Sequence, residues 1–75
     1  MKIAFEVDAR GLLCPLPLLK AKKALNALRH GQYLRELTTD AGSRRDFRVF
    51  CEQSGRRLVE TDELDNEYRY VLEKA

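Results

Sequence analysis

Apolar residues recur at every second position near the start of the chain. Ile3, Phe5 and Val7 fall on one side of an extended stretch over residues 2–7, the period expected of a strand with one buried face. Asp8 through Leu13 breaks the alternation and reads as a loop in which Gly11 permits unusual backbone angles. From about Pro15 to Leu28 the period changes to that of a helix. At about 100° per residue Leu18, Ala21, Ala24, Leu25 and Leu28 share one stripe, whereas Leu16 and Leu19 fall off it beside Lys20 and Lys23. Proline suits the first helical position, and Gly31 is expected to close the helix region. A second strand follows over residues 33–38, with its buried face left open between Tyr33, Leu34 and Leu37. Asp40 to Ser43 carries helix-start signals. The second helix is expected from Ser43 to Ser54, stopped by Gly55, with Phe47, Phe50, Cys51 and Ser54 on its apolar stripe and Arg44, Arg45 and Arg48 on its flank and back. Strands over 57–62 and 67–73, joined by a turn at Asp65-Asn66, complete a βαβαββ order. That order predicts a single α/β domain over residues 1–75: a two-layer sandwich with both helices on one face of a mixed four-stranded sheet and the last two strands as an antiparallel hairpin.

Composition agrees with one small globular domain: 75 residues, 44% hydrophobic and 35% charged. No apolar run approaches the roughly 18–20 residues that a membrane-spanning helix requires. Residues 1–8 alternate and do not read as a signal peptide, so a cytoplasmic location with reduced thiols is expected. Two cysteines and one histidine, His30, exclude a four-cysteine or Cys2His2 zinc site and most histidine-based catalysis. The net charge of +2 is uneven: residues 1–37 hold seven basic and three acidic side chains, residues 38–75 seven and nine. Cys14 lies in the basic half.

The chemistry concentrates in Gly11-Leu12-Leu13-Cys14-Pro15-Leu16-Pro17. Cys14 falls at the expected N-cap of the first helix, where the helix dipole and unpaired N–H groups stabilise an anion. A thiolate there is expected to have a pKa below the free value of about 8.5. Pro17 has no N–H, so Leu16 is the natural backbone donor to a Cys14 thiolate or persulfide, with Arg10, Lys20, Lys22 and Lys23 adding positive potential. No Cys-x-x-Cys pair and no second histidine supports dithiol or hydrolase chemistry. Attack on an activated sulfur donor needs only an exposed, ionised thiol. A cysteine buried under the helix start is the competing reading, and the residues alone leave the two level.

At these positions the chain resembles the TusA (SirA-like) family of sulfur-carrier proteins. The resemblance rests on Asp8-x-x-Gly11-Leu12-x-Cys14-Pro15-x-Pro17, Gly31, Thr39-Asp40, Arg45-Asp46, Phe50-Cys51 and Tyr68-Arg69-Tyr70, and covers about residues 3–74. It implies the same βαβαββ sandwich and a sulfurtransferase-like carrier without a cofactor. In that role Cys14 accepts a persulfide sulfur from a cysteine desulfurase and passes it to an acceptor protein, in tRNA thiolation or other sulfur trafficking. Members that feed tRNA thiolation usually carry an acidic residue between the prolines. Leu16 stands there in this chain, which leaves the recipient open.

Other residues have plainer expectations. Cys51 belongs to the core rather than serving as a resolving thiol. His30 is expected to interact with the helix C-terminal dipole, and Asp8 to form an Asx-type turn. Arg44, Arg45 and Arg48 lack interleaved aromatics, so direct nucleic-acid binding is not expected as the main activity. The rival from another class is a regulatory or RNA-associated binding module on the same scaffold, which would tolerate loss of the Cys14 sulfur.

Overall fold

The computed structural model describes residues 2–74; Met1 and Ala75, the ends of the expected domain span, lie outside the described residues. The elements run β1 (Ile3–Ala9), α1 (Leu16–Ala27), β2 (Tyr33–Thr38), α2 (Ser43–Ser54), β3 (Arg57–Leu64) and β4 (Glu67–Glu73). The strands form one sheet in the order β1-β2-β4-β3. β1 is parallel to β2, and the other two pairings are antiparallel. Both helices cover one face of this mixed sheet, and the hydrophobic core lies between the two layers. The expected βαβαββ sandwich is the observed one.

Where boundaries differ, local pairing explains the difference. β1 runs two residues past its expected end because Asp8 and Ala9 still pair with Leu37 and Thr38. A register shift sets Ile3 opposite Tyr33 and Phe5 opposite Leu34, so the regular alternation through Ile3, Phe5 and Val7 does not hold. Phe5, on an edge strand, stays 54% exposed, while Val7 and Ala9 enter the core layer. On β2 the buried face left open by sequence is Leu34, Glu36 and Thr38. β3 continues to Leu64 because the hairpin closes in two residues, Asp65 and Asn66, both at positive φ. Asp and Asn tolerate that conformation, which matches the twist of the flanking strands.

α1 begins one residue later than expected, with Pro15 at the N-cap and Leu16 as its first residue. Leu28 is its C-cap, extended, with its N–H on the Leu25 carbonyl at 3.1 Å. Gly31 therefore does not close the helix. It sits in the following turn and donates to the Lys74 carbonyl at 2.7 Å. His30 also lies past the helix end, off the last turn where it would meet the dipole. On α1, Pro17, Ala21 and Leu25 are buried, with Leu18, Ala24 and Leu28 packed at the margin of the core. On α2, Phe47 stacks on Tyr70 of β4 with ring centroids 4.5 Å apart, and Ser43 Oγ shares a 2.7 Å hydrogen bond with the Tyr70 hydroxyl. Cys51 is buried in the same cluster, as its stripe predicts. Ser54, expected on that stripe, is exposed in the last turn, where Gly55 at φ +76 ends the helix and donates to the Cys51 carbonyl.

One core position is discordant. Glu36 is fully buried, and among the described residues neither carboxyl oxygen has a hydrogen-bond partner. Its strand neighbours across the sheet are Val7 and Tyr70. Burial pushes its pKa up to about 8, against a smaller opposing pull from Lys20.

Candidate functional site

Because β1 and β2 are parallel, the β1–α1 and β2–α2 loops leave the sheet at the same end of its strands. Three hydrogen bonds tie them together there. The Gly11 N–H donates to Thr39 Oγ1 at 2.9 Å and the Cys14 N–H to Asp40 Oδ2 at 3.0 Å. The Cys14 thiol donates to Asp46 Oδ2, from the first turn of α2, at 2.7 Å. Gly11 adopts φ +82, a left-handed angle that lets the chain turn from β1 toward α1. Asp8 supports the turn as expected, accepting the Arg10 N–H at 3.1 Å. Its carboxylate also holds the Arg10 guanidinium at 2.9 Å, and that bond, with the backbone contact, brings the Asp8 pKa down to about 2.

Cys14 is exposed, so the buried-cysteine reading falls. Around it the α1 leucines that fall off the core stripe reach solvent: Leu16 is 47% and Leu19 50% exposed. Leu13, in the loop before α1, is itself 72% exposed. Between α1 and α2 an open groove of about 360 Å³ is lined by Leu18, Lys22, Arg45, Asp46, Val49, Phe50 and Gln53. Lys22 and Arg56 lie 5.3 and 5.7 Å above the Phe50 ring, an aromatic–cation cluster that the arginine spacing did not reveal.

The electrostatics of the thiol reverse the expectation. Cys14 precedes the N-cap rather than occupying it, and the Leu16 N–H is taken by the Leu13 carbonyl at 2.9 Å. Arg10 is committed to Asp8 and Glu67. What faces the sulfur is Asp46, then Asp40. The hydrogen bond to Asp46, with some desolvation and the charges of both carboxylates, pushes the Cys14 pKa up from its ordinary value instead of down. Asp40 and Asp46 had stood out only as a helix-start signal and as part of a family pattern. The available clue was topological: the parallel strands bring the ends of β1 and β2 together, where α/β sheets place their ligands.

The sulfurtransferase TusA family model matches residues 5–74. The chain belongs to the TusA family of sulfur-carrier proteins. It is 46% identical over 70 residues to the sulfur carrier protein TusA of Allochromatium vinosum, covering 93% of this chain and 92% of that protein. The crystal structure of a SirA-like protein from Desulfitobacterium hafniense superposes with a TM-score of 0.81 at 30% identity, over 92% of this chain and 95% of that one. This TusA-family chain therefore shares the fold of a solved SirA-like protein, and a general sulfur-carrier role comes with the family. A carrier of that kind implies a sulfur donor and a sulfur acceptor. Among the described residues no helix is long and apolar enough to cross a membrane.

Proposed function

We infer that Cys14 carries sulfur as a persulfide, loaded by a cysteine desulfurase or a similar donor and relayed to an acceptor protein in the cytoplasm. The observation that supports this most is the position of Cys14: an exposed thiol at the rim of α1, among exposed Leu13, Leu16 and Leu19, while Cys51 is buried. In loading, the Cys14 sulfur attacks the outer sulfur of the donor's persulfide and forms a new S–S bond. The donor's own S–S bond breaks. Its inner sulfur leaves with the electron pair and takes up the proton that Cys14 gives up. Unloading repeats the exchange on an acceptor thiol, with Cys14 as the leaving group. Each transfer conserves electrons overall, so the relay is sulfurtransferase-like and needs no metal or redox cofactor. The same chemistry serves tRNA thiolation and other sulfur trafficking; Leu16, in place of an acid between the prolines, leaves the recipient open between them.

Incubation with a cysteine desulfurase and radiolabelled cysteine tests the relay. Wild type should take up label and lose it when an acceptor is added, and Cys14→Ser should stay folded and take up none. Equal labelling of the two would remove Cys14 from the reaction, and no labelling of either while the desulfurase turns over would favour the binding-module reading.

A further inference from the structure

Asp46 presents an unresolved electrostatic problem. Its carboxylate lies 2.7 Å from the Cys14 sulfur. A carboxylate cannot donate, so the thiol must hold its proton for that contact to be attractive. Asp40 brings a second carboxylate to the same residue through the Cys14 N–H. Among the described residues no cation forms a salt bridge with Asp46. Lys22 and Arg45 share its groove without closing on it, and Arg10 is held elsewhere. The start of α2 supplies the remaining compensation for its charge. The thiol is thus solvent-accessible and kept as the weaker nucleophile, because attack on sulfur requires the thiolate. Loading asks for the opposite state.

We propose that Asp46 is both the latch of the resting carrier and a docking contact: it holds the Cys14 thiol closed until a sulfur-transfer partner presents a cationic group to its carboxylate. This rests on Cys14 being the sulfur-bearing residue. A lysine or arginine of the partner, placed against Asp46, neutralises the charge that disfavours the thiolate, and the Cys14 proton then leaves to the donor's departing sulfur. The latch gives the carrier selectivity. Free anionic sulfur compounds meet two carboxylates at the thiol, whereas a partner with a basic centre meets complementary charge.

Charged methanethiosulfonates test this without a sulfur donor. The Cys14 thiolate displaces methanesulfinate from them and forms a mixed disulfide, followed by intact mass. Three reagents are compared on the full chain: cationic (trimethylammonioethyl), anionic (sulfonatoethyl) and neutral (methyl), with N-acetylcysteine amide correcting for their intrinsic rates. Wild type should favour the cation over the anion by at least about fivefold, and added salt should shrink that preference. Asp46→Asn should reduce the preference and speed the neutral reagent. A one-unit fall in thiol pKa raises the thiolate fraction tenfold and weakens each thiolate about threefold, for a net gain of about threefold. Asp46→Glu should retain the preference for the cation. An anion preference in wild type, or a cation preference that Asp46→Asn leaves intact, would overturn the proposal. Should Asp46→Asn fail to fold, the salt series on wild type still decides: a preference that salt does not reduce rejects it. Sulfur loading without charge selectivity would leave the carrier and remove the latch; charge selectivity without loading would remove the carrier.

Discussion

The two cysteines of this chain differ in what limits their reactivity. Cys51 is shielded by the core, and burial raises its pKa; Cys14 is accessible and restrained by the carboxylate of Asp46. Iodoacetamide at neutral pH should therefore label Cys14 first, and Cys51 at a comparable rate only after denaturation. Equal rates in the native protein, read by peptide mapping, would contradict the packing of α2 on β4. Gly11 makes the second prediction at this scale. A Cβ there would meet no atom within 4 Å, yet φ is +82. Gly11→Ala should then cost about 1–2 kcal/mol of stability through backbone strain alone, measured by urea denaturation. The sequence marks Gly11 as a conformational exception but gives no sign of the thiol's electrostatics, because Asp46 is 32 residues away along the chain.

Among the elements, helix periodicity was informative because it separates Leu16 and Leu19 from the stripe of Leu18, Ala21 and Leu25, and the exposures follow that division. The start of α1 was legible to within one residue. That single residue moved Cys14 off the N-cap and removed the Leu16 N–H as its donor, which changed the chemistry expected of the site. β1 was harder to read, since the shift between Ile3 and Phe5 depends on pairing with β2 and leaves no mark in a period-two pattern. The exposed leucines form an apolar centre beside Lys20 and Lys23, the composition of a transient protein contact. Leu16→Ala should change stability by no more than about 0.5 kcal/mol while slowing sulfur transfer to an acceptor. A loss of several kcal/mol with transfer per folded molecule unchanged would make Leu16 a core residue. On β4, Tyr70→Phe should leave the buried Ser43 hydroxyl of α2 without its partner and cost about 1–3 kcal/mol.

At the scale of the whole molecule, Glu36 sets a pH dependence. Its folded-state pKa of about 8 lies above the ordinary glutamate value of about 4.5, so the native state binds the extra proton between those limits. Stability is fully present below about pH 4.5 and falls as pH rises toward 8. The full penalty is on the order of 3–5 kcal/mol at the alkaline end, at about 1.4 kcal/mol per unit. Glu36→Leu should raise the urea midpoint at pH 8 more than at pH 5 and flatten the profile between them; a parallel shift at both values would mean that Glu36 does not titrate across this range. Nothing in the alternation of Tyr33-Leu34-Arg35-Glu36-Leu37-Thr38 distinguishes a buried acid from an exposed one until the strand's face is known, and β2 is central in the sheet. The order of elements was legible because each one carries its own period and stop signals. The juxtaposition of the β1–α1 and β2–α2 loops, which makes the site, follows from the sheet order that those local signals do not specify.

The most direct test of the carrier reading is to locate the transferred sulfur. After incubation of wild type with a cysteine desulfurase and cysteine, non-reducing digestion and tandem mass spectrometry should find one or more added sulfur atoms on the peptide containing Cys14 and none on that containing Cys51. Added sulfur on Cys51 with Cys14 unmodified, or no addition to either while the desulfurase turns over, would contradict it.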